Sequence, residues 1–267
     1  MALFHIFLVA IVQGITEFLP ISSSGHLILL PQVAGFRDQG QLIDVAVHVG
    51  TLLAVLIYFW ADMRIAIMGL PRLMTGRADT PGARLALLLL VASVPAVAFG
   101  LLLKLTGLDI ALRSITVIGW TTLIFGALLY WADQVGESSK SAKDWNMTDA
   151  MVIGVWQAIA LIPGTSRSGI TITGARFMGY ARQDAARVSM LMSVPTIIAS
   201  AVFLGGEAAL EANLALLRDG AIAAVFAFAS ALVALSLMMR LLRRVSFTPY
   251  VIYRMVLGVT LLAIAYG

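Results

Sequence analysis

The chain reads as an all-α polytopic membrane protein: an inverted-topology repeat, each half a re-entrant helix-loop-helix plus three transmembrane helices. Three observations predict this. Of 267 residues, 60% are hydrophobic and only 12% are charged, roughly half the charge a soluble domain carries. Apolar runs close to the ~20 residues that cross a hydrocarbon core recur at about 41–61, 85–104, 115–132, 185–205, 221–240 and 248–266. A polar stretch beginning at Gln13 and reaching Gly25 has a second copy from Gln157 to Gly169, with the same spacing.

Residues 1–19 are too short to span and stop at Pro20, and residues 24–36 form another short apolar piece ending at Gly35. Together they predict a re-entrant hairpin, because non-helical backbone at membrane depth is tolerated only where protein or a water-filled cavity satisfies it. The first span ends at Trp60 and Asp62, and 62–84 reads as a loop carrying Arg64, Arg72, Arg77 and Arg84. Two further spans, joined by a short turn with Gly107 and Asp109, lead to a polar loop at 133–147. Residues 148–163 and 167–181 repeat the broken pattern around Pro163 and Gly164, and three more spans complete the chain. A single domain, 1–267, is therefore expected, with repeat one at about 1–133 and repeat two at about 148–267. No cleaved signal peptide is expected, since the apolar start lacks a basic flank and runs into Glu17 and Pro20.

Three spans per half put the halves in opposite membrane orientation. The basic residues agree: with loop 62–84 inside, twelve Lys and Arg fall inside and four (Arg37, Lys104, Arg113, Arg218) outside, leaving Arg167 and Arg254 within the membrane. That bias predicts both termini outside the cytoplasm. The two hairpins then dip in from opposite faces, and their tips meet near the midplane. A pI of 9.7 reflects these topology signals, so no nucleic-acid partner is expected. The absence of cysteine excludes disulfides and thiolate metal sites.

The tips carry the chemistry. Ionisable groups at membrane depth are costly and normally functional. Gln13 and Glu17, four apart, share a helix face. Ser22, Ser23 and Ser24 precede a new helix N-terminus, which favours anions, and His26 follows. The second tip offers Ser166, Ser168, Thr171 and Arg167, whose planar guanidinium suits phosphate. The set fits a phosphoryl group better than a neutral solute or a bare cation. Cleaving a phosphoanhydride needs Arg167 and a divalent cation on its oxygens, plus a nucleophile and a base. Glu17, Ser23 and His26 can fill those roles, and the nucleophile stays open between Ser23 and His26. Asp44 and His48 form another i, i+4 pair, read as structural or interfacial. Arg254 is expected to neutralise a helix end or a buried acid, and His5 to lie at the outer interface.

The Gln-x-x-x-Glu pair at 13 and 17, the Ser-Ser-Ser-Gly-His run at 22–26 and the Pro-Gly-Thr-Ser-Arg-Ser-Gly run at 163–169 resemble the signatures of the undecaprenyl-diphosphate phosphatase (bacitracin-resistance) family. The similarity covers essentially the whole chain. It implies hydrolysis of a C55 polyprenyl diphosphate to the monophosphate, which recycles the lipid carrier of cell-wall synthesis, with a divalent metal (Mg or Ca) held in part by Glu17. It further implies Gln13 and Glu17 as the acidic/amide motif, His26 as an essential histidine, Ser23 as a nucleophile and Arg167 as the diphosphate clamp. This chain has Gln13 where some members have a glutamate. Expected partners are the lipid substrate and membrane lipids, with a homodimer left open. A polyprenyl-phosphate transporter built on the same repeat is the alternative from a different class. Against it stands the unequal division of chemistry, since Glu17 and His26 align with Leu161 and Ile170 of the second copy while Arg167 aligns with Ser23.

Overall fold

The structure is a computed structural model that describes residues 3–35, 39–108, 112–210 and 213–267; Asp109 and Arg37 lie outside them. Short helices α1 (Leu3–Phe18) and α2 (Ser23–Ala34) form the first hairpin, followed by α3 (Gln41–Tyr58), α4 (Trp60–Met74), α5 (Pro81–Thr106) and α6 (Ile115–Val135). The second hairpin is α7 (Met147–Ile159) and α8 (Arg167–Phe177), followed by α9 (Arg182–Leu210), α10 (Leu214–Leu241) and α11 (Thr248–Tyr266). Six of these, α3, α5, α6, α9, α10 and α11, are long and apolar enough to cross a membrane. Only 22–50% of the most apolar window of each is buried inside the protein, so leucines and valines cover the outside in a way that only lipid accommodates. The chain is an all-α polytopic membrane protein.

Local chemistry sets the boundaries. Pro20 lacks an N–H and disfavours helix in the residue before it, and α1 ends at Phe18. Thr80, Ser114, Asn146 and Asn213 cap α5, α6, α7 and α10, each side chain accepting from the amide three residues on. Each such cap stabilises by about 1 kcal/mol. Gly107 ends α5 in the left-handed conformation. The stretch expected as a loop at 62–84 is instead mostly helical, covered by α4 up to Met74 and by α5 from Pro81. In α4 the buried residues Met63, Ala66 and Gly69 recur every three positions, and a Cβ on Gly69 would lie 2.1 Å from the backbone of Gly82. The small residues let α4 lie directly on α5, and its arginines sit on the opposite, exposed side.

Helix α1 packs on α10 and α7 on α5, α3 packs on both α9 and α10, and α6 and α11 pack on each other. Small residues make these approaches close, as in other membrane helix pairs: a Cβ on Gly14 would meet Ala227 O at 2.6 Å, and one on Gly154 would meet Ala92 O at 2.6 Å. The main apolar core lies between these helices. A polar network ties the ends of α6, α8 and α9. Asp133 accepts from Arg182 Nε at 2.6 Å and from the Phe247 amide at 3.0 Å. Tyr180 donates to Asp149 Oδ2 at 2.5 Å, and its burial pushes the phenol well above its ordinary pKa.

Candidate active site

The two hairpin turns have the same local build. Ser22 and Ser166 stand at the same place in their copies and are, among the described residues, the two non-glycine residues with positive φ, 74° and 72°, a conformation that costs an L residue energy and that clusters at functional sites. In each turn the serine Oγ accepts from the amide three residues on, Gly25 at 3.3 Å and Gly169 at 3.1 Å. Each also lies beside the hydroxyl two residues on, Ser24 at 3.4 Å and Ser168 at 3.2 Å. The sharp turn thus delivers the next residue, Ser23 or Arg167, at the first position of a helix.

The turns meet. Ser168 Oγ donates to Leu19 O at 2.9 Å, and Arg167 Nη2 donates to Glu17 Oε1 at 3.1 Å. Glu17, 8% exposed, is the hub. Its Oε2 accepts from Ser23 Oγ at 2.8 Å and from Gln13 Nε2 at 2.9 Å. Arg167 also donates through Nη1 to Ser189 O on α9 at 3.1 Å. Two of its five N–H donors are thereby used, and three have no bond among the described residues. Thr171, one turn further along α8, bonds the Ser189 hydroxyl at 2.6 Å and so braces the arginine's support. Ser24 is exposed and Ser23 half-buried, whereas Gln13, Ser22, Ser166, Ser168 and Thr171 are buried.

The structure does not bring His26 to Glu17. The His26 ring Nδ1 pairs with Ser22 O at 2.7 Å, and Nε2 pairs with Tyr253 Oη at 2.5 Å. The Ser22 carbonyl can only accept, so Nδ1 carries the proton and Nε2 accepts from the tyrosine. The ring also stacks on Tyr253, 5.7 Å between centroids. The histidine that faces the hub is His48 on α3, its Nε2 3.8 Å from Glu17 Oε2 and its Nδ1 2.7 Å from Asp44 O. Its i, i+4 spacing with Asp44 marked it as noteworthy, but the bond runs to the Asp44 backbone and the side chain points at Glu17. His5 is buried, 7% exposed. Arg254, expected to neutralise a helix end or an acid, bonds instead to backbone carbonyls behind both turns.

A buried carboxylate linked to a hydroxyl on one side and a guanidinium with free donors on the other can activate the hydroxyl while the guanidinium and two helix N-termini hold an anion. Comparisons with known proteins show which family the chain resembles. The family model described as "Bacitracin resistance protein BacA" matches residues 6–260. A protein of Ruegeria pomeroyi named undecaprenyl-diphosphatase is 68% identical over the full length of both chains. One of the same name from Jannaschia sp. is 66% identical over the full length of both. A Rhodospirillum rubrum protein named undecaprenyl-diphosphatase 1 is 46% identical, covering all of this chain and 96% of that one. The chain belongs to the bacitracin resistance protein BacA family.

Proposed function

We propose that this protein hydrolyses undecaprenyl diphosphate to the monophosphate and inorganic phosphate, recycling the lipid carrier for peptidoglycan synthesis and conferring bacitracin resistance. The observation that carries the reading is the link Ser23–Glu17–Arg167 across the two turns, in a chain whose full-length relatives bear the name of that activity. Glu17 Oε2 takes the Ser23 proton as the serine oxygen bonds to the terminal phosphorus. The bridging P–O bond breaks, and the lipid monophosphate leaves. The leaving monophosphate takes with it the proton that Glu17 accepted, which regenerates the carboxylate. Water, deprotonated by that carboxylate, then attacks the phosphoserine phosphorus, and Glu17 returns the proton to the Ser23 oxygen as phosphate is released. Arg167 uses its free donors on the phosphoryl oxygens, where charge accumulates in the transition state. Its bonds to Ser189 O and Glu17 keep it oriented.

A divalent cation fits this site as a guest shared with the substrate. The Gln13 side-chain oxygen, beside Glu17, is buried with no hydrogen-bond partner among the described residues, and hard cations take such oxygens together with a carboxylate and substrate phosphates. Among the described residues no group of three His, Asp or Glu could hold one alone. Glu17 and Gln13 would hold it, and when bound it would neutralise charge on the diphosphate oxygens.

In detergent, the purified protein is expected to release phosphate from polyprenyl diphosphate. Ser23→Ala should reduce the rate by about a thousandfold or more, in the range of losing a nucleophile, and His26→Ala by much less, since Tyr253 covers its free nitrogen. No release by the parent protein would refute the activity, and a dead His26→Ala beside an active Ser23→Ala would transfer the nucleophile to His26.

The inverted repeat and its orientation belong to the same proposal. Exchanging the halves exchanges α1 on α10 with α7 on α5 and leaves α6 on α11 unchanged, and the left-handed serines correspond; loop charge supports an outer, periplasmic opening in the inner membrane. In the cysteine-free chain, Ser24→Cys, at an exposed position, should react with a membrane-impermeant maleimide added to intact spheroplasts. Reaction only in inside-out vesicles would reverse the orientation.

A further inference from the structure

We infer that Arg254 is a positioning residue that holds the two turns in register from behind, so that Glu17 and Ser23 on one meet Arg167 on the other. It lies in α11, far from both turns in sequence, and its side chain is completely buried. Nε donates to Thr122 O at 3.1 Å. Nη1 donates to Thr165 O at 2.9 Å and Pro20 O at 3.3 Å. Nη2 donates to Gly164 O at 3.0 Å and Thr121 O at 3.5 Å.

All five donors of the guanidinium are thus spent on five carbonyls. Pro20 belongs to the first turn, Gly164 and Thr165 to the second, and the two threonines to α6. Carbonyls freed by breaking a helix at membrane depth must find donors within the protein, and Arg254 supplies them to both breaks at once. It makes no ion pair among the described residues, so neither a buried acid nor a helix end explains it. With no donor left for a phosphate it acts through the turns. The same residue type in the same apolar setting has the opposite assignment at 167, where three donors stay free.

The slot around it is close-fitting. A Cβ on Gly169 would come 2.9 Å from Arg254 Nη1, and one on Gly126 would come 3.3 Å from Nε. Small residues at these two positions make room for the guanidinium, and displacing it would let the turns move relative to each other. Catalytic geometry is sensitive to shifts of about 1 Å, which can cost a hundredfold in rate.

This inference rests on the proposed phosphatase activity for its kinetic arm but not for its structural one. Full-length Arg254→Lys, with three donors on a single atom, and Gly169→Ala, which keeps the arginine but crowds it, are compared with the parent protein. Each is expected to lower kcat for phosphate release by about a hundredfold while KM changes less than threefold, because Arg254 does not touch the substrate. Nitroxides at the exposed positions Ile15 and Leu161, near the two turns, should report a broadened inter-label distance in both variants. Unchanged kcat in both variants, or an unchanged label distance with lowered kcat, overturns the inference. Should Arg254→Lys fail to fold, Gly169→Ala carries the decision. If the parent protein releases no phosphate, the functional reading fails, and the label distances still decide whether Arg254 registers the turns.

Discussion

Glu17→Gln is expected to abolish measurable turnover while leaving the fold in place. The substitution keeps the shape of the side chain but removes the charge that accepts the Ser23 proton and pairs with Arg167. Losing a positioned base costs between about a hundredfold and ten-thousandfold, and kcat should fall by at least the larger of these, because the same atom also orients the nucleophile. A second effect follows from burial. The Arg167 side chain is 15% exposed and loses its only carboxylate among the described residues, and stranding one member of a buried pair destabilises by about 3 kcal/mol or more. The thermal midpoint should therefore drop, and substrate or pyrophosphate, by bringing anionic oxygens back to Arg167, should restore part of it. Phosphate release and thermal unfolding with and without pyrophosphate check both parts. A turnover within tenfold of the parent protein would remove Glu17 from the chemistry.

Arg167→Lys should be the second most damaging change, and of a different kind. Lysine keeps the charge and can still pair with Glu17, so stability should change little. What is lost is the planar fork that serves Glu17 and Ser189 O and, in the proposed reaction, the phosphoryl group as well. Removing an arginine that stabilises a transferring phosphoryl group costs about 10³ to 10⁵ in rate, and we expect kcat/KM to fall toward that range with KM rising, because the same donors bind the ground-state diphosphate. Initial-rate kinetics over substrate concentration separate the two parameters. A loss confined to kcat with KM unchanged would mean that Arg167 supports Glu17 rather than the substrate.

The contrast between the intramembrane arginines explains how far the sequence could be read. Both are recognisable from hydropathy as charges that should not face lipid, and the run around Arg167 marks it as functional. Nothing near Arg254 in the chain says that Pro20, Gly164 and Thr165 surround it, because those partners lie 89 to 234 residues away. His48 illustrates the same limit. Its i, i+4 pairing with Asp44 was visible, but its approach to Glu17 depends on α3 and α1 both packing on α10, where a Cβ on Gly14 would meet Ala227 and one on Gly50 would meet Ala224, contacts that no local pattern announces. Helix α4 was hidden for another reason: its four-arginine neighbourhood suggests a loop, and only its packing on Gly82 reveals why Met63, Ala66 and Gly69 turn inward.

Hydropathy, proline and glycine placement, and the two copies of the polar stretch were enough to establish a membrane bundle, its six long helices and its two broken hairpins, and to single out the polar residues of the two turns. These are local properties, written in runs of about 20 residues or in turns of fewer than ten. Packing settled which histidine faces the carboxylate, which hydroxyl reaches it, and which arginine keeps donors free for a ligand. A side chain's partners in the membrane are whatever distant backbone and side-chain atoms the helices bring around it, and that is why Arg167 meets a carboxylate and keeps three donors free among the described residues while Arg254 spends all of its donors on backbone carbonyls.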